Sequence, residues 1–367
     1  MPRTRTPLSR LLAPAVTGAL VATVTSGVVA PASGSTPTQS LASLAGSARR
    51  PSSAKLDFAS FNIQSAGLDR RSGGRRPWRA RRATVVRQIL NNGIDVIGIQ
   101  EAVYTPSFVR RLVRGRTQYL DLRNGLNGRG GRFAVTTRAA VNCVRPSVAR
   151  NCRHRDRNAS AAERILYNKH TVALVRTGSM RYSRQSRRTP HMYLAWAVLR
   201  SRASGDRFLF TTTHLDPASR AIRRSQWRQM VRQVRRIRHS MPVISVGDFN
   251  TTKMDPLART MLPAMRRAGI GDVLNQQYRV NPTRRMRARS RVNGWLNTFN
   301  HLTTRVARFG YEKRRRNVGN GIDWIFASNR LAVLQYEVVC NFNPRTLRVR
   351  GTMPSDHNMI RARIRVS

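Results

Sequence analysis

The sequence predicts an α/β protein of two β-sheets packed face to face with helices outside. Three observations predict it. Leu56–Asn62, Trp78–Asn92 and Ile94–Ile99 read as strand, helix and strand. Phe208–Thr213, a helix from Asp216-Pro217 to about Arg238, and Pro242–Asp248 repeat that order. Short apolar runs then close the chain, and several of them end on a lone polar residue. A strand, a crossover helix and a second strand form the α/β unit, and such folds place their chemistry at the carboxyl ends of strands.

Each element has its own signature. In PVISVGDFNTT, Val243, Ile244 and Val246 form a β-branched run, the mark of a covered strand. It leads into a turn carrying Asp248 and Asn250, which extended backbone would point to the same side. The helix Trp78–Asn92 puts Trp78, Val85, Val86, Ile89 and Leu90 on one face and stops at Gly93. Tyr104–Ala162 is irregular and loosened by glycine. Arg164–Val175 reads as a hairpin turning at Asn168-Lys169, and Tyr193–Leu199 with Phe208–Thr213 as a second. Asp216-Pro217 supplies an N-cap and first-turn pair for a helix whose apolar side is Trp227, Met230, Val231, Val234 and Ile237. A helix near Pro256–Arg267 precedes a strongly basic stretch, Arg279–Asn320. Gly321–Phe326, Leu331–Val339 and Met359–Val366 are the last strands.

The 367 residues, 40% of them hydrophobic, suffice for one large core. Charge is the outlier: 68 basic against 16 acidic residues give a net +52 and a sequence pI near 12.0. All but four of the basic residues are arginine. Guanidinium forks match phosphate, and so positive a field attracts polyanions. Residues 1–32 have the form of a secretory signal, with Arg3, Arg5 and Arg10, an apolar Leu11–Ala30 and an Ala30-Pro31-Ala32 cleavage site. Residues 33–54 read as a disordered Ser/Thr/Pro/Gly linker and 55–367 as one folded domain. A secreted, extracellular monomer with no stable membrane insertion after signal cleavage is expected. Cys143 and Cys152 would then pair within one loop and leave Cys340 over. Their spacing with His154 matches no zinc pattern.

Polar residues stand at or beside strand ends in separate segments: Asn62, Gln100-Glu101, Glu163, His214, Asp248 with Asn250, Asp323, and Asp356-His357. Each alone could be a turn cap or a solvated loop. Together, the motifs SFNI, IGIQEA, TTHLD, SVGDFNTT, GIDWIF and PSDHNMI resemble the endonuclease/exonuclease/phosphatase superfamily, in its order and from Asp57 to the C-terminus. The resemblance implies a four-layered α/β sandwich, a Mg²⁺-type ion (Mn²⁺ or Ca²⁺ substituting or assisting) and phosphate-ester hydrolysis. It implies Glu101 as principal metal ligand with Asn62 and Asp356 near the ion. Asp248 and Asn250 would orient or deprotonate the water and bind phosphate, with His357 and His214 as acid, base or clamp. It offers Asp323 as partner of His357 and Glu163 as partner of His214. The chemistry is consistent: a phosphodiester repels hydroxide until its charge is neutralised, and carboxylate and amide oxygens are the hard ligands Mg²⁺ prefers.

Glu163-Arg164 resembles the deoxyribonuclease branch, although Ala161 stands where that branch carries an aromatic. A nuclease hydrolysing DNA, or RNA, with little sequence specificity is therefore expected. Arg284, Arg285, Arg287 and Arg289 would bind the backbone phosphates. A phospholipid or phosphoinositide phosphodiesterase of the same fold is the alternative, since basic surfaces also bind anionic membranes. A binding protein without catalysis fits poorly with so complete a set of site residues.

Overall fold

A computed structural model describes residues 53–68, 77–103, 113–114, 117–137, 162–187, 189, 191–276, 289–307 and 321–366. The proposed signal, nearly all of the linker, Cys143, Cys152, and Arg284, Arg285 and Arg287 lie outside the described residues. The elements in chain order are β1 (Ala54–Asn62), α1 (Trp78–Asn91), β2 (Val96–Gln100), α2 (Gln118–Asn127), β3 (Phe133–Val135), β4 (Arg164–Asn168), β5 (Val172–Arg181), β6 (Tyr193–Ser201) and β7 (Arg207–His214). After them come α3 (Arg220–Arg238), β8 (Val243–Asp248), α4 (Pro256–Arg267), β9 (Ile270–Asp272), α5 (Val273–Gln276), β10 (Arg291–Val292), β11 (Asp323–Ser328), β12 (Ala332–Val339) and β13 (Met359–Val366).

The strands form two mixed sheets, ordered β10-β12-β13-β1-β2-β4-β3 and β5-β6-β7-β8-β11-β9. Alternation along each strand divides the side chains between two cores. From β1, Leu56 and Phe58 face the other sheet and meet Phe208, Phe210, Ile244 and Ile325, with Phe58 edge-on to Phe208 at 5.5 Å. Ala59 and Phe61 face the opposite way, onto Trp78, Val85 and Ile89 of α1 and Tyr119 and Leu122 of α2. The second sheet turns Trp196, Leu209, Trp324 and Phe326 outward beneath α3 and α4. Helix, sheet, sheet, helix is the four-layered order expected. The sheets approach closely at β2 and β7, where a Cβ on Gly98 would lie 2.5 Å from Thr212 Oγ1. Gln100 Nε2 donates to that hydroxyl at 2.8 Å, so this strand-end polar residue stitches the sheets together.

Three expectations need correction. The hairpin at Arg164–Val175 does not form: β4 pairs with β2 and β3, whereas β5 pairs with β6 in the other sheet. The turn at Asn168-Lys169 instead carries the chain from one layer to the next. The long helix starts at Arg220 with Ser219 as N-cap, its hydroxyl accepting from Ile222 N–H. Asp216 Oδ1 accepts from Ala218 and Ser219 N–H and so shapes the approach to that cap. Within the irregular stretch, α2 forms behind Thr117, whose hydroxyl accepts from Leu120 N–H.

Candidate active site

The topology carries the polar strand ends to one edge of the sandwich. Asn62 ends β1 and pairs in register with Gln100 at the end of its parallel neighbour β2. His214 and Asp248 end the parallel strands β7 and β8, in register with each other, and Asp323 opens antiparallel β11 opposite Asp248. Asp356 and His357 lie just before β13, which runs antiparallel to β1. One sheet thus contributes Asn62, Glu101, Asp356 and His357, and the other His214, Asp248 and Asp323.

Asp248 is the centre. Its Oδ2 lies 3.4 Å from His214 Nε2 and 3.6 Å from His357 Nε2, and it accepts from Asn62 Nδ2 at 3.2 Å. His357 Nδ1 contacts Asp323 Oδ2 at 2.9 Å, which fixes the ring and aims Nε2 at Asp248. Burial disfavours the imidazolium, but Asp323 and Asp248 outweigh it and push the His357 pKa up to about 10. Burial raises the pKa of Asp248, and the charge of Asp323 adds to that, against the opposing pull of His214 and His357. Raised by burial against the pull of both imidazoles, this carboxylate is a stronger base than an exposed one.

Glu101 occupies left-handed backbone at φ 59°, a conformation that costs a non-glycine residue about 1–3 kcal/mol. That turn brings Oε1 to Asn62 Nδ2 at 3.0 Å and Oε2 to Ser65 N–H at 2.9 Å. Burial works against its charge, yet His214, these two donors and His357 hold its pKa below the usual carboxylate range. Asp356 behaves oppositely: burial and the nearby charge of Glu101 both raise it. Two carboxylates set against each other in a buried edge supply hard oxygen donors whose repulsion a divalent cation would relieve, so Glu101 and Asp356 fit a Mg²⁺-type ion. Asn62 spends its NH₂ on Glu101 and Asp248, and its Oδ1 accepts from Gln64 N–H. Asp248, Asp323 and His357 also cluster closely enough to hold a metal. Within that trio His357 Nδ1 and Asp323 Oδ2 are already hydrogen-bonded to each other.

Asn250 departs from the extended geometry expected. At φ 46° it turns back, its N–H donating to Asp248 Oδ1 at 2.8 Å and its Nδ2 to the Leu215 carbonyl at 2.8 Å. Between them Phe249 is buried against Trp227 and Trp324 and anchors the loop. Glu163 is buried just before β4, and its charge acts on Tyr182, whose hydroxyl donates to Thr213 Oγ1 at 2.7 Å. It therefore bears on the residue preceding His214. Arg289 is exposed.

Several supporting residues escaped the sequence reading. Ser355 Oγ donates to the Asn62 carbonyl at 2.7 Å and accepts from His357 N–H, tying the end of β1 to the last loop. Thr298 Oγ1 accepts from Ile322 and Asp323 N–H, both at 3.0 Å. Phe299 packs on the His357 ring with centroids 4.8 Å apart. Buried Arg81 donates to the carbonyls of Ile63, Gln64 and Pro354 and joins the same two segments. Of these, Ser355 belongs to the motif PSDHNMI and Phe299 to the aromatic residues within the basic stretch, whereas Thr298 and Arg81 carried no sequence signal.

The model of the endonuclease/exonuclease/phosphatase family matches residues 59–357. The chain belongs to that family. Its members hydrolyse phosphate esters and are generally dependent on a divalent metal, and this chain is a hydrolase of the same kind. Among solved structures it is similar to an endonuclease/exonuclease/phosphatase from Bacteroides vulgatus, with 19% identity and a TM-score of 0.59, over 86% of this chain and 100% of that one. A mannosyl-6-phosphatase from Bacteroides thetaiotaomicron aligns at 17% identity and TM-score 0.55, over 84% and 99%. D. rerio TDP2 complexed with single-strand DNA product aligns at 16% and 0.54, over 85% and 99%. No curated protein matches the sequence.

Proposed function

We propose that this family member is a secreted, Mg²⁺-dependent nuclease that hydrolyses DNA, and RNA secondarily, with little sequence specificity. The observation that carries phosphodiester hydrolysis is Asp248 Oδ2 lying between the two imidazole nitrogens, beside the Glu101–Asp356 pair. In this reading Asp248, raised by burial, accepts the proton of the attacking water, while Asn62 holds Asp248 and Glu101 in place through its NH₂. His357, still cationic at neutral pH, meets the charge that develops on the phosphoryl oxygens, and His214 stands ready for the leaving oxygen. Glu101 and Asp356 would hold the ion, whose chemistry is to neutralise the phosphate and polarise its ester oxygen.

The net charge of +52 supports a nucleic-acid substrate, and the secretory form of residues 1–32 supports export. A similar protein was solved with DNA product. The phospholipid alternative has less support: among the described residues only Val175 and Met254 are exposed large hydrophobics, too little for lipid insertion. The experiment is degradation of plasmid DNA set against head-group release from vesicles, each with and without chelator. DNA loss that EDTA abolishes is the expected result. No nucleic-acid hydrolysis with Mg²⁺, Mn²⁺ or Ca²⁺ would overturn the nuclease reading.

A further inference from the structure

The basic stretch singled out in the sequence is Arg279–Asn320; among the described residues a second array of arginine stands on α3. Helix α3 contains no acidic residue along Arg220–Arg238. Its apolar side, with Trp227, Met230, Val234 and Ile237, is buried on the second sheet. The opposite face exposes Arg220, Arg224, Arg228, Arg232, Arg235 and Arg236. Residues four apart lie one above another on a helix, so Arg220, Arg224, Arg228, Arg232 and Arg236 form a stripe with a repeat of about 6 Å, and Arg235 lies beside its end. Among the described residues only Arg220 of the six has an acidic partner, Asp255 at 3.3 Å. Like charges four residues apart destabilise a helix. The helix dipole compensates for Arg235 and Arg236 in the last turn but not for Arg224, Arg228 and Arg232 in the middle. A general preference for arginine explains the residue type, but not a 19-residue helix without one glutamate.

We propose that the outer face of α3 is a docking surface for the phosphate backbone of duplex nucleic acid bound at the active site. The proposal rests on the nuclease reading and gives it a path. The helix begins six residues beyond His214, at the edge that carries the candidate site, and Arg223 Nη1 donates there to the Asp216 carbonyl at 2.9 Å. From that edge it runs back along the side of the second sheet to Arg238, which donates to the Ala268 carbonyl at the far end. Nineteen residues span about 28 Å, the length of about eight phosphates on one strand of a duplex. A membrane would fit this face less well. Interfacial helices insert apolar side chains, and those of α3 are committed to the core.

The test uses the full-length protein with Arg224, Arg228, Arg232 and Arg235 all changed to Gln, and a second variant with the same four changed to Lys. Binding of a 30-bp duplex in EDTA, as a function of salt, should lose about 0.9 from the slope of log affinity per contact removed. KM for long DNA in Mg²⁺ should rise at least about tenfold in the Gln variant with kcat unchanged, as when uniform binding is lost. The Lys variant should recover most of both. Unchanged DNA affinity and salt slope in the Gln variant, while wild type degrades DNA, would overturn the docking surface and leave the nuclease intact. So would a defect confined to vesicles of 30% anionic lipid, or a Lys variant as impaired as the Gln variant. Failure of wild type to hydrolyse DNA would instead strike the reading on which the surface rests.

Discussion

The catalytic edge and the outer face of α3 lie at opposite extremes of this very basic chain. At the edge, four of the 16 acidic residues, Glu101, Asp248, Asp323 and Asp356, crowd together. On α3 there is no acid at all. The edge charges are largely removed from water and fixed by short hydrogen bonds, so losing one leaves its partners stranded in a medium that screens poorly. The helix charges stand in solvent, each screened and replaceable by a neighbour. Charge count therefore predicts little. Burial decides whether a given charge governs a chemical step or only adds to a field.

The sharpest attempt to break this contrast is Glu101→Ala. It should cut kcat on both DNA and a small phosphodiester by about 10⁴-fold, with circular dichroism unchanged, because the proposed mechanism makes Glu101 the main hard ligand. Residual turnover near wild type would show that the Glu101–Asp356 pair is not the ion site.

Next is Asp323→Asn, which removes the group that orients His357. A loss of about 10²-fold in kcat is expected. The pair also ties stability to pH. Since folding raises the His357 pKa from 6.5 to about 10, its contribution is complete below pH 6.5 and is lost as pH rises through about 10. In chelated protein the melting-temperature advantage of wild type over Asp323→Asn should shrink between pH 7 and 10. An advantage independent of pH would argue against a charged His357.

A smaller effect is expected from Gly98→Ala, which touches no reacting group. Its Cβ would meet Thr212 Oγ1 at 2.5 Å and Val246 Cγ2 at 2.6 Å, so denaturant melts should show overpacking of about 1–3 kcal/mol. The smallest is Arg228→Gln. A single exposed guanidinium should change stability by less than about 0.5 kcal/mol and leave kcat unaltered. A large loss from this variant would put α3 in the same class as the edge.

Much of the architecture was legible because strands and helices bury different periods. β13 (Met359–Val366) and α4 (Pro256–Arg267) have the bounds expected from the sequence, and the helices lie outside two face-to-face sheets. The misread hairpin shows the limit. Asn168-Lys169 has ordinary turn chemistry, but nothing local reveals that β4 prefers β2, some 70 residues upstream, to its immediate successor. Likewise α2 was hidden because Asn124, Gly125 and Asn127 dilute its apolar face. In the site, residues at strand ends were readable and their supports were not. The hydroxyls of Ser355 and Thr298 act on segments that meet only after folding. The turn at Asn250 likewise depends on Asp248 accepting its N–H.

The division of the site between the two sheets makes the edge a gauge of their alignment. Asn62 reaches from one sheet to Asp248 on the other, and the same Asp248 oxygen meets His357 from the first sheet and His214 from its own. At 3.2–3.6 Å these contacts stand at the long end of hydrogen-bonding range, so slippage of a few tenths of an ångström parts donors from acceptors. The Gln100–Thr212 stitch and the bare backbone at Gly98 hold the two layers in step at the strands that carry Glu101 and His214. Any influence that slides one sheet across the other would silence hydrolysis while every strand kept its own ladder. Catalysis in this molecule is a property of how two intact halves are aligned.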